Sequence, residues 1–167
     1  MDKAGRRKLA QTPILPKNCV YWSEMSDGYD ILLEIEKSRQ DVTYYETVIK
    51  DVGHPKSLFL FEIHKGKAET RIYAVKDVVI KPSTKLYYWP FSNVYQDGRA
   101  CWPELRSMEL NELHRLTTLP YLFFTSPSNN DLYRGTKNFR GLLEELSGHD
   151  FDDSILIPTG LKVEDII

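Results

Sequence analysis

At 167 residues the chain has the length of one domain burying roughly two-thirds of its unfolded surface, which argues against two independent cores. A net charge of −2 supplies no general attraction to nucleic acid or to a membrane, and no apolar run approaches the roughly 20 residues of a membrane span. The start, MDKAGRRKLAQTP, lacks the apolar core of a signal peptide, so a cytoplasmic protein is expected, with its two cysteines, Cys19 and Cys101, reduced.

Ten tyrosines, seven phenylalanines and three tryptophans favour aromatic-bearing strands over a helix bundle. Residues 1–16 hold a basic cluster and two prolines without a sustained apolar period, and read as a mobile or loosely docked arm; residues 17–167 read as one domain. From Cys19 to Ile80 short apolar runs alternate with turns. CVYW is followed by Asp27-Gly28, and YDILLEIE places Ile31, Leu33 and Ile35 on one buried face. The run VTYYETV, residues 42–48, is expected to be a strand broken by DVGHP, residues 51–55. LFLFEI, a turn at 65–67 and TRIYAV follow. These runs predict an α+β protein built on a four- or five-stranded antiparallel meander. No strand pattern is evident between Lys81 and Asn93, and the aromatics there read as packing.

After Pro103 the period changes. Leu105, Met108, Leu113 and Leu116 allow a helical face whose register Leu110 and Leu119 blur, and Tyr121 to Phe124 can form a second helical piece. SPSNND, residues 126–131, is a loop. Asn138 can cap a last helix with Phe139, Leu142, Leu143 and Leu146 on one face, closed by Gly148. Ile155, Leu156, Ile157 and Leu161 of the tail are expected to cover core.

The stretch with the most chemistry is residues 81–103, KPSTKLYYWPFSNVYQDGRACWP. Asp97-Gly98 lets the backbone reverse, and Asn93 lies eight positions before Cys101. A turn there can fold the Asn93 amide back toward the Cys101 sulfur. A thiol facing an amide donor is a candidate acyl-transfer site.

The order of sheet, Cys-bearing loop and helices is found in the ubiquitin-conjugating enzyme superfamily. Residues 93–101, NVYQDGRAC, resemble its active-site signature, in which His-Pro-Asn leads through a variable turn ending in Gly to the catalytic Cys. Pro82, Leu86-Tyr87, Pro90-Phe91, Asn93-Val94, Gly98 and Cys101 are similar to a bacterial branch, the prokaryotic conjugating enzymes that include protein B of the PRTRC system. The likeness runs from Lys81 to the end and includes Phe123-Phe124 and the spacing from Phe151 to Leu156. It departs where Phe91-Ser92 replaces His-Pro, where Trp102-Pro103 follows Cys101, and where residues 126–129 lack a His expected in the branch.

The resemblance implies a UBC-like fold and thioester relay: an adenylating enzyme passes a ubiquitin-like modifier to Cys101, which hands it to a protein target. Asn93 is then the candidate oxyanion donor and Asp97 the candidate orienter or base for the incoming amine, although each can equally serve the turn. Gly98, Tyr95 and Pro90 shape the loop. Two other readings stay open, a catalytically inactive adaptor of the same fold and an isolated thiol hydrolase. Cys19, in an apolar strand, reads as core. Cys19, Cys101, His54, His64, His114 and His149 show no C-x-x-C or H-x-x-x-H spacing, so no metal is expected. No Gly-rich phosphate loop occurs, no cofactor is expected, and neither nucleic acid nor a membrane is an expected partner.

Overall fold

Side-chain alternation along a strand puts Ile31, Leu33 and Ile35 on one face, yet Leu32 between them is equally buried. The computed structural model, which describes residues 5–167, shows the reason: both faces of the sheet are covered. Eight strands are formed among the described residues: β1 (Cys19–Met25), β2 (Gly28–Ile35), β3 (Ser38–Tyr44), β4 (Thr47–His54), β5 (Ser57–His64), β6 (Lys67–Ala74), β7 (Lys85–Tyr88) and β8 (Pro158–Lys162). Six make one antiparallel sheet in the order β1-β2-β5-β6-β7-β8, and β3 and β4 leave it as a separate hairpin. The helical pieces are α1 (Pro103–Arg106), α2 (Leu119–Thr125) and α3 (Phe139–Leu146), with 3-10 turns at Leu113–Thr117, Asp153–Ile155 and Val163–Asp165. This is a sheet-dominated α+β architecture. No helix among the described residues is long and apolar enough to cross a membrane.

The main core lies between one sheet face, the β3–β4 hairpin and the helices. Leu32, Leu58, Leu60, Tyr73, Val75 and Leu86 form the other face, against which Val163, Ile80 and Ile166 pack. Lys56 ties the segment after β6 to this side. Its buried ammonium donates to the Val78 carbonyl at 2.8 Å and pairs with Glu34 at 3.1 Å. Burying that charge is tolerable because its partners replace water.

Several expectations are corrected. The main sheet has six strands because two short ones escape the pattern: β7 is only four residues long, and β8 returns from the C-terminal tail. The run at 42–48 is not one strand. It turns at Tyr45 (φ 53°), whose N–H bonds the Ser128 carbonyl at 2.8 Å. Nor do residues 51–55 break the next strand, since β4 passes through a bulge at Asp51, whose N–H is accepted by Asp41 Oδ1 at 2.9 Å. The backbone of residues 149–151 crosses Gly53 so closely that a Cβ would stand 2.2 Å from the His149 carbonyl oxygen.

The helical face expected from Leu105 to Leu116 is also split. The Leu110 N–H bonds the Gly66 carbonyl at 2.9 Å, pinning residues 107–112 to the β5–β6 turn, so Leu110 is buried where a continuous helix would misplace it. Tyr121 to Phe124 do lie on a second piece, α2. Asn138 caps α3 through its Oδ1, which accepts the Gly141 N–H at 3.0 Å, and the four expected apolar residues are buried. In the tail Ile155 and Leu156 pack on the main core as expected, whereas Ile157 and Leu161 are exposed, Leu161 because it lies on the edge strand β8. Of the arm expected at residues 1–16, residues 1–4 lie outside the described residues. Residues 5–14 are exposed, and the Pro16 carbonyl accepts the Cys19 N–H at 3.1 Å.

His54 ends β4 inside an aromatic cluster, with ring centroids 5.0 Å from both Phe91 and Phe124. Its Nδ1 stands 2.8 Å from the Val52 carbonyl, which fixes that nitrogen as the donor in the neutral ring. Burial disfavours the imidazolium and pulls the pKa from 6.5 down to about 4. The unfolded chain therefore takes up this proton first. The stabilisation is complete above pH 6.5 and fades as pH falls toward 4, by about 3 kcal/mol across the window. Urea midpoints measured across that window should fall more steeply for the parent chain than for His54→Gln; equal slopes would refute the assignment.

Candidate active site

Residues 93–101 fold as expected into a reversal, and the backbone shows how. Gly98 N–H bonds the Tyr95 carbonyl at 2.9 Å to close the turn, Tyr95 N–H bonds the Arg99 carbonyl at 2.8 Å, and Cys101 N–H bonds the Asn93 carbonyl at 2.8 Å. This is a small hairpin with Val94 paired to Ala100. One of its arms lies along β6: Ile72 N–H reaches the Gly98 carbonyl and Ala100 N–H the Thr70 carbonyl, each at 2.8 Å. The outer edge of β6 is thus divided, with residues 70–72 holding the hairpin and Tyr73 and Ala74 holding β7.

Gly98 has φ 88°, which L side chains rarely adopt, and a Cβ there would stand 2.5 Å from the Tyr73 ring. Tyr73 in turn donates its hydroxyl to the Asp97 carbonyl at 3.1 Å. The turn sits on this tyrosine.

Cys101 is a free, half-buried thiol just after the hairpin. Trp102 behind it is buried, 5.4 Å from the Phe123 ring, and Pro103 opens α1. Chain direction is therefore fixed on both sides of the sulfur. Cys19 is the other free thiol. Burial favours the neutral thiol there and pushes its pKa up, opposed by its bond to the Tyr21 carbonyl at 3.3 Å.

Asn93 is brought to Cys101 through the backbone, while its amide turns the other way. Nδ2 donates to the Pro127 carbonyl at 3.0 Å, and φ is 70°, a conformation Asn tolerates. Asp97 is engaged within the turn: Oδ1 accepts the Arg99 N–H at 3.0 Å and Oδ2 pairs with the Arg99 guanidinium at 2.7 Å. The backbone N–H of Arg99 first, then its side chain, holds this carboxyl below the ordinary range. Arg99 also lies over the exposed Tyr95 ring at 5.7 Å, so its charge is shared between the two.

Phe91 and Ser92 precede Asn93. Phe91 is buried against His54, Trp89 and Phe139, and the buried Ser92 Oγ has no hydrogen-bond partner. Pro90 leads from this packing to a cleft of about 470 Å³, lined also by Trp89, Gln96, Tyr133, Arg134 and Leu142. A second hollow of about 250 Å³ lies by Thr70, Tyr95, Arg99 and Trp102. Cys101 lines neither cavity.

Sequence reasoning missed the partners of the hairpin: Tyr73 beneath it, Pro127 beside it, and Arg134, whose Nη1 donates to the Val94 carbonyl at 3.2 Å. Tyr73 looks like any strand aromatic and Arg134 like any loop cation, so no local signal marks them. Among the described residues, no group of three or more His, Cys, Asp or Glu side chains can hold a metal ion.

A sheet-dominated α+β domain that presents a cysteine from a backbone-locked hairpin ahead of its helices is compatible with a conjugating-enzyme fold. The chain belongs to prokaryotic E2 family D, whose profile matches residues 15–159. That places it among prokaryotic, conjugating-enzyme-like proteins. No curated protein and no solved structure matches it.

Gly98→Ala should cost roughly 1 to 3 kcal/mol of stability from backbone conformation and the clash with Tyr73. Paired with Tyr73→Ala it should cost less than the sum of the single changes in urea unfolding, because the second substitution removes the clash. Strict additivity would count against this packing.

Proposed function

We propose that the protein accepts a ubiquitin-like modifier from an adenylating enzyme as a thioester on Cys101 and passes it to a protein target. The observation that carries this reading is the placing of a free thiol at the end of the locked hairpin, within the residues matched by prokaryotic E2 family D. The Pro82 to Cys101 spacing supports kinship with protein B of the PRTRC system. Residues 17–167 then form the working domain, preceded by the arm, in a bacterial cytoplasmic protein.

In the loading step the Cys101 thiolate attacks the modifier's thioester carbonyl. A new C–S bond forms, and the activating enzyme's thiolate leaves. One thioester replaces another, so little driving force is required. In the transfer step a target amine attacks the same carbonyl, Cys101 leaves as thiolate, and the amine's surplus proton passes to solvent or a base. Asp97, already committed to Arg99, contributes charge near the amine rather than strong basicity. Asn93 supports the reaction first by holding the 126–129 loop, since its amide bonds Pro127.

A second reading, a non-catalytic adaptor that binds the modifier or the adenylating enzyme, is favoured by the engagement of Asn93 with Pro127 and of Asp97 within its turn, which leaves neither side chain free for chemistry. Chemistry at Cys101 separates the two. With ATP, adenylating partner and modifier, the parent chain should form a reducible, modifier-sized adduct, and Cys101→Ser a hydroxide-labile one. An adduct that persists in Cys101→Ala would overturn the carrier role. A complex formed equally by parent and Cys101→Ala, with no adduct, would establish the adaptor.

A further inference from the structure

The Cys101 hairpin has two edges, and only one belongs to the sheet. Its Val94–Ala100 pair is bracketed by the Tyr95-to-Arg99 and Cys101-to-Asn93 hydrogen bonds. In an antiparallel ladder the peptide groups of such a bracketed pair point outward. Ala100 obeys this rule by donating to Thr70 of β6. Val94, on the opposite arm, must turn its carbonyl away from the sheet. An outward carbonyl at a hairpin edge is satisfied by solvent or by a donor brought from elsewhere.

We propose that Arg134 is the positioning residue for Cys101, capping the free edge of the hairpin at the Val94 carbonyl and tying it to the loop between α2 and α3. Nη1 makes this bond at 3.2 Å in a partly buried setting. The tie is doubled in the reverse direction: Asn93, next to Val94, sends its amide to Pro127 at the start of the same loop. One bond runs from hairpin to loop and the other from loop to hairpin.

The loop can bear this role because it is anchored elsewhere. Ser128 exchanges backbone hydrogen bonds with Thr43 and Tyr45, both at 2.8 Å, and Asn130 accepts the Tyr44 hydroxyl at 2.7 Å. Tyr133, the neighbour of Arg134, stacks on Phe139 of α3 with centroids 4.4 Å apart. Arg134 therefore reaches the hairpin from a loop pinned to the β3–β4 hairpin and to α3. Through it Cys101 is referred to the second hairpin and the last helix, beside the ladder that its own hairpin makes with β6. Arg134 is not paired with a carboxylate among the described residues, so its charge strengthens the bond to Val94. The value of this restraint for modifier transfer rests on the function proposed above; the restraint itself does not, and the test addresses the restraint.

The test uses the full chain with Arg134→Met, which keeps the aliphatic stem without a donor, and Arg134→Lys, which keeps one. Hydrogen exchange of amides in residues 93–101 should quicken about tenfold in Arg134→Met and stay near the parent in Arg134→Lys, with any change in β2 and β5 no larger than this. Alkylation of Cys101 by iodoacetamide, read against Cys19 in the same chain, should rise about fivefold in Arg134→Met only. Parent-like exchange and alkylation in Arg134→Met overturn the proposal, as does equal loosening in the Met and Lys variants. Failure to form a modifier adduct would defeat the function and leave these results to decide the role of Arg134.

Discussion

The structure depends on how the outer edge of β6 is shared. A strand has one row of donors and acceptors on each side, and β6 gives its inner row wholly to β5. Its outer row is split between the Cys101 hairpin at residues 70–72 and β7 at Tyr73 and Ala74. Because β7 takes so little, the hairpin can occupy the rest and become an extension of the sheet. The cysteine is then carried on a ladder rather than a free loop.

Beneath the split edge lies an aromatic cluster that sets the hairpin's height and direction. Trp89, Phe91, Phe123, Phe124 and Trp102 are buried together, with Trp89 and Phe124 stacked at 5.9 Å. Phe91 is packed edge-on against His54 and offers no polar atom to the hairpin. Polar support comes from the side, through Asn93, Pro127 and Arg134.

This division of labour bears on catalysis. Asn93 and Asp97 are the polar side chains expected to assist Cys101, and both spend their hydrogen bonds on geometry. A thioester carrier can work in this way, since exchange between thiols asks for placement more than for acid–base power.

The amino-acid sequence by itself determined the local features that arise between near neighbours. The reversal at Asp97-Gly98, the Asn138 cap, the α3 face and the buried side of β2 were all legible, because each depends on residues within a turn or two. The family likeness was legible for the same reason, resting on the spacing from Asn93 to Cys101. Tertiary structure decided what depends on partners distant in the chain. β7 and β8 are too short to show a period and exist because they pair with each other and with β6. The split of the helical stretch follows from one bond between Leu110 and Gly66, and the run at 42–48 turns where Tyr45 meets Ser128. By sequence alone the Asn93 amide could face Cys101 or serve its own turn; the approach of Pro127, 34 residues away, sends it instead to the loop between α2 and α3. Hydrogen-bond competition between distant segments leaves no periodic trace, and here that competition holds the cysteine in place.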